Sequence, residues 1–102
     1  MHAFQYEVPG NKRLYQQCLA ELGPGKPEGL VMRLVTKTQS GLRHTMVWES
    51  KEAWEHYRDE SVRPAVMTVL ERAGISPPGG DPYEEELFVV DLECVDRPAV
   101  VT

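Results

Sequence analysis

The sequence predicts an α+β domain of element order β-α-β-β-α-β, and three observations predict it. Glycine and proline clusters at Pro9-Gly10, Gly23-Pro24-Gly25-Lys26-Pro27, Ser40-Gly41 and Pro77-Pro78-Gly79-Gly80 cut the chain into blocks of strand or helix length. Within the blocks, apolar residues recur either at every second position or at helical spacing. With 102 residues, 41% hydrophobic and 26% charged, the chain holds one domain with a core of its own and not two.

Each element has its own signal. Residues 2–8 alternate, with Phe4, Tyr6 and Val8 one way and Ala3, Gln5 and Glu7 the other, the pattern of a half-buried strand. Asn11 then offers an N-cap oxygen, Leu14, Cys18, Leu19 and Leu22 follow at helical spacing, and Gly23 with Pro24 stops the helix. Residues 29–39 and 41–49 are two strands joined at Ser40-Gly41, where glycine is available for a positive φ. Leu30, Met32 and Leu34 share one face of the first, and Leu42, His44, Met46 and Trp48 one face of the second. Ser50 opens a helix over about residues 51–73 that turns Trp54, Tyr57, Ala65, Val69 and Leu70 inward. Pro64 removes a backbone donor, so a kink or break is expected near Ser61–Arg63. Residues 86–95 form the last strand. The domain thus covers residues 1–96, and 97–102 is a tail without a packing role. Right-handed crossovers make this the ferredoxin-like arrangement, an antiparallel sheet with both helices on one face.

Such a sheet is polar on its uncovered face when the protein is a monomer. Here Phe4, Tyr6, Leu30, Met32, Leu34, Leu42, Met46, Trp48, Phe88, Val90 and Leu92 fit under the helices, yet the opposite set still holds Val31, Val35, Val47, Leu87 and Val89. Arg33, Arg43, Thr45 and Glu49 are mixed among them, the arginines read as rim charges paired with Glu49, Asp91 or Glu93. Each large aliphatic side chain left in water forfeits roughly 1.5–3 kcal/mol of available burial. A homodimer through the sheet face solves this.

Charge and motifs narrow the function. A net charge of −5 is wrong for wrapping a duplex, so no nucleic acid is expected. No run approaches the ~18 apolar residues of a membrane span, and residues 1–15 lack a signal-peptide core, which points to a cytoplasmic protein without membrane contact. Cys18 and Cys94 carry no metal spacing. Neither a phosphate-binding loop nor a dinucleotide fingerprint occurs. His2, His44 and His56 share no evident carboxylate, so no metal and no cofactor is expected.

The residue richest in information is His44, which parity places under the helices between Leu42 and Met46. A buried imidazole is either a satisfied core residue or a general base, and its reference pKa of about 6.5 suits proton transfer. Trp48, Trp54 and Tyr57 lie near it, with Met32 and Met46, and Tyr6 adds a phenol from the neighbouring strand. These are either core or the wall of a pocket for a flat aromatic ligand. His56, Arg58 and Arg63 read as a solvated helix face, and Glu84-Glu85-Glu86 as edge protection.

The element order and the run Trp48-Glu49-Ser50-Lys51-Glu52-Ala53-Trp54-Glu55-His56 resemble the dimeric α/β-barrel superfamily, and within it the antibiotic biosynthesis monooxygenase-like domains. The resemblance covers about residues 2–95 as architecture and nine residues as motif. It implies a homodimer and a pocket between sheet and helices. The chemistry it implies is cofactor-free oxygenation, or proton transfer in a cyclisation or isomerisation, on an aromatic or polyketide-like compound; the spacing of the residues then makes His44 the candidate catalytic group and Tyr6, Met32, Met46, Trp48, Trp54 and Tyr57 the candidate substrate-binding ones. The first strand carries Gln5 where the haem-degrading branch has asparagine, which argues against haem turnover. The alternative is a non-catalytic ligand-binding or structural dimer of the same fold.

Overall fold

The computed structural model describes residues 1–77 and 79–94. Strands β1 (His2–Val8), β2 (Leu30–Lys37), β3 (Leu42–Trp48) and β4 (Glu85–Leu87) form one antiparallel sheet in the order β2-β3-β1-β4. Helix α1 (Lys12–Leu22) connects β1 to β2. A second helical segment connects β3 to β4, composed of α2 (Lys51–Tyr57), a π-turn (Arg58–Val62) and α3 (Arg63–Arg72). The architecture is α+β with an open antiparallel sheet, compatible with a ferredoxin-like fold.

The caps work as their residue types dictate. Asn11 Oδ1 accepts from the Leu14 N–H at 3.0 Å, and Ser50 Oγ from the Ala53 N–H at 3.1 Å, each satisfying an orphan donor of a first helical turn. Gly23, at φ 86°, ends α1. The break expected near Pro64 is a local widening and not a stop. Proline lacks an N–H and its ring crowds the carbonyl four residues back, so the preceding turn opens and the Arg63 N–H reaches the Arg58 carbonyl instead.

The core is the face of the sheet under α2. Phe4, Met46, Trp48 and Trp54 are buried there, with Tyr6, Leu30, Ala53, Tyr57 and Val62 packed against them. Trp48 and Trp54 meet at 5.6 Å and Phe4 and Trp54 at 4.9 Å, both tilted, which adds directional ring contacts to a large apolar burial.

Three expectations are corrected. First, β2 does not keep its parity. The ladder with β3 pairs Leu30 with Trp48, then Met32 with Val47, so Val31 is an extra residue. Every side chain beyond it changes face. Arg33 stands opposite Met46 and Val35 opposite His44, on the helix side, while Met32 and Leu34 pass to the reverse side. Second, β4 is three residues long. Pairing with β1 ends at Ala3 and Leu87, and the described residues from 88 onward leave the ladder. Phe88 (84% exposed) and Val90 (100%) are therefore not under the helices. Residues 95 to 102, including the end of the expected strand and the tail, lie outside the described residues. Third, Gly41 does not use a positive φ. Thr38 closes the turn, its N–H donating to the Gly41 carbonyl at 2.8 Å and its hydroxyl accepting from the Gly41 N–H at 3.1 Å. Glycine is needed because a Cβ at position 41 would fall on the Val8 carbonyl oxygen.

On the reverse face the register aligns Met32, Val47, Ala3 and Leu87 in one apolar row across all four strands. The next row is Leu34, Thr45, Gln5 and Glu85, and beyond it Arg43 pairs with Glu7 at 2.6 Å. That pairing replaces the expected partners Glu49, Asp91 and Glu93.

Candidate functional site

On the helix side, two rows of the sheet carry the chemistry. One runs Arg33, Met46, Phe4, Glu86 and the next Val35, His44, Tyr6. Tyr6 and His44 are direct cross-strand partners, their rings 4.9 Å apart and 4° from parallel. Tyr15 of α1 presents an edge to His44 at 5.5 Å and 69°. Tyr57 of α2 meets Trp48 at 5.4 Å. Thus Tyr6 of β1, His44 and Trp48 of β3, Tyr15 of α1 and Tyr57 of α2 bring rings together between the sheet and the helices, Tyr57 through Trp48.

The predicted site residues divide into two sets and one exception. Met46 (4% exposed), Trp48 (0%) and Trp54 (2%) are core, sealed from solvent. Tyr6, His44 and Tyr57 are only partly buried, and they form the accessible part of the cluster. Met32 is the exception: the β2 bulge carries it to the opposite side of the sheet, away from the rest. His56 is exposed, as expected.

Sequence reasoning missed three residues. Arg33 shares the face of Met46, and its charge is felt by Tyr6, His44 and Tyr57. It is half-buried, and among the described residues it makes neither an ion pair nor a hydrogen bond. The only sequence signal for its placement is the unbroken run Leu30-Val31-Met32 at the start of β2, one apolar residue too many for strict alternation. Tyr15 was outside the expected apolar stripe of α1. Glu84, read as part of a solvated acidic run, accepts from Trp54 Nε1 at 3.1 and 3.2 Å and pairs with Arg58 at 3.3 Å. Arg58, which also reaches Asp59 and Glu55, is accordingly an ion-pair hub and not a free surface charge.

Electrostatics set the protonation states. Burial, and to a lesser degree the nearby Arg33 charge, together lower the His44 pKa to about 4, so the imidazole is neutral at neutral pH. Burial pushes the Tyr6 phenol well above its ordinary range, with Glu84 adding to the shift and Arg33 opposing it. Tyr57 moves the same way, again chiefly through burial. Burial also raises Cys18 of α1, with a further push from Glu21, so its thiol is not an activated nucleophile. Neither nitrogen of His44 nor the Tyr6 hydroxyl is hydrogen-bonded among the described residues. Unlike His2 Nε2 and Trp48 Nε1, which are buried without partners, these atoms are not fully enclosed. A neutral acceptor, two protonated phenols and a guanidinium are therefore free to engage a ligand.

The covering layer is loose on this side. No residue of α1 is buried, although Leu14, Cys18, Leu19 and Leu22 are partly so. Of two surface clefts, one reaches Tyr6, and His44 lines neither. One is an open notch of about 300 Å³ at the β1 edge, bounded by Gln5, Tyr6, Glu7, Arg43, Tyr83 and Glu85. The other is a groove of about 520 Å³ between α1 and α3, with Leu14, Gln17, Val69 and Ile75 among its walls. Among the described residues no group of three or more His, Cys, Asp or Glu side chains could hold a metal ion, and no helix is long and apolar enough to cross a membrane. Neither a protein-family model nor a curated protein matches the chain, and the reading of the site therefore rests on its own residues.

Proposed function

We propose that the protein is a small-molecule enzyme of the dimeric α/β-barrel type that acts on a planar aromatic or polyketide-like compound through proton transfer at His44. The observation that carries this reading is the Tyr6–His44 stack, 4.9 Å apart, whose polar atoms have no protein partner among the described residues. A satisfied core histidine would spend its nitrogens on the protein. Here they are available to a substrate, and the flat ring stack shapes the wall for a flat molecule.

In this reading the neutral imidazole takes a proton from an acidic C–H or O–H of the substrate, and Tyr6 or Tyr57 donates a hydrogen bond to the oxygen that gains charge. Cyclisation or isomerisation follows when the same proton is returned elsewhere. Oxygenation follows when the carbanion of an anthrone-like substrate adds dioxygen and the hydroperoxide loses water, leaving a quinone, with dioxygen as the oxidant. Leu34, 52% exposed beside the reverse-face row of Met32, Val47, Ala3 and Leu87, supports assembly of two copies through their reverse faces, although Val47 and Ala3 are already buried within one chain. The test is oxygen uptake and product absorbance with anthrone and naphthol substrates. Turnover should occur in the wild type and drop by a factor of about a hundred or more in His44→Ala. Ligand-induced thermal stabilisation that is identical in both proteins would remove His44 from the site.

A further inference from the structure

Arg33 is a half-buried cation that the β2 bulge delivers to the helix side of the sheet, where the exposed Lys37 also falls. Without the extra residue Val31, alternation would leave position 33 on the reverse face; with it, Arg33 stands beside Met46, one row from His44 and Tyr6. A guanidinium drawn among apolar and aromatic side chains ordinarily has a carboxylate partner, since its desolvation is otherwise uncompensated. The nearby acid Glu84 is committed to Trp54 and Arg58, and among the described residues Arg33 has no acidic partner. The groups around the cluster are Tyr6 from β1, His44 from β3, Tyr15 and Cys18 from α1 and Tyr57 from α2, with Glu84 near Tyr6 and Glu86 of β4 at the far end of the Arg33 row. Arg33 is thus a half-buried cation beside these rings without a counter-ion among the described residues.

We propose that Arg33 is the anion anchor of this cleft, holding the ionised oxygen of an aromatic acid, carboxylate or phenolate, against the Tyr6–His44 stack. The proposal deepens the enzymatic reading and rests on it for the location of the ligand. A forked guanidinium suits a planar oxyanion, and its charge-assisted hydrogen bonds strengthen in a partly dry site. The bound anion also cancels the positive charge that opposes protonation of His44, so an acidic ligand makes that histidine a better base than it is in the empty protein.

Calorimetric titration with 2-naphthoate and its neutral counterpart 2-naphthamide tests this. The naphthoate should bind the wild type at least tenfold more tightly than the amide, and Arg33→Gln should erase that preference while leaving amide affinity unchanged. Independently of any variant, naphthoate should raise the His44 pKa followed by NMR in the wild type. If both probes bind equally well and the His44 titration does not move, the anchor is wrong while the aromatic cleft stands. Failure of both probes to bind the wild type would overturn the anchor and the cleft together. Should Arg33→Gln fail to fold, the wild-type His44 titration decides alone: a rise supports the anchor and no change rejects it.

Discussion

Tyr6 and His44 face each other across the β1–β3 ladder with their rings 4° from parallel, each half-buried. Because the pair is cross-strand, its geometry is held by backbone hydrogen bonds on both sides and not by a flexible loop. The sheet, and not the covering helix α1, therefore fixes how the two rings face each other.

The protonation of His44 makes stability depend on pH. Its value is 6.5 when unfolded and about 4 when folded, so between those limits the unfolded chain binds the extra proton. Stability is complete above the unfolded value and falls as the pH drops through this window. At ~1.4 kcal/mol per unit, discounted for the ring's partial exposure, the loss by the acid end is about 2 kcal/mol. Urea titrations at a series of pH values should show this extra acid sensitivity in the wild type and not in His44→Gln. Parallel curves for the two proteins would contradict a depressed His44.

Glu84 ties the segment before β4 to the core through the indole of Trp54. Glu84→Ala leaves a deeply buried donor without a partner and should cost about 1–3 kcal/mol. Glu84→Gln keeps an acceptor oxygen, loses only the charge opposite Arg58, and should cost less. Equal losses in denaturant unfolding would mean that the indole bond contributes nothing.

Gly41→Ala should destabilise by about 2 kcal/mol or more, since the new methyl meets the Val8 carbonyl oxygen, a backbone atom that cannot swing aside. Gly79→Ala, in open space and with no positive φ, is the matched control and should be neutral. The comparison is read from the shift in urea midpoint.

Leu34 is 52% exposed beside the apolar row of the reverse face. If that face joins two copies, light scattering should give twice the chain mass for the wild type and the single mass for Leu34→Glu, with unchanged circular dichroism. A wild type that runs as a single chain at micromolar concentration would reject the dimer.

Local pattern carried most of the elements. Residues 2–8 form the strand their alternation predicts, Asn11 and Ser50 cap as expected, and the helix before Pro64 is perturbed where proline requires it. That Tyr6 and His44 share one face of the sheet was also legible, because a strand's faces follow from spacing alone. Leu30-Val31-Met32 was not legible as a bulge, and that one residue decided which of Met32 and Arg33 joins the site.

The sequence by itself determined the first three strands, the helices between and after them and their caps, since these depend on neighbours within a few residues. Only the tertiary structure decided the face of β2 past Val31, the partner of Glu84 and the length of β4. Those are matters of register between segments distant in the chain. A strand's side-chain period of two means that a single unpaired residue reverses every face beyond it, and no local propensity records where that residue falls.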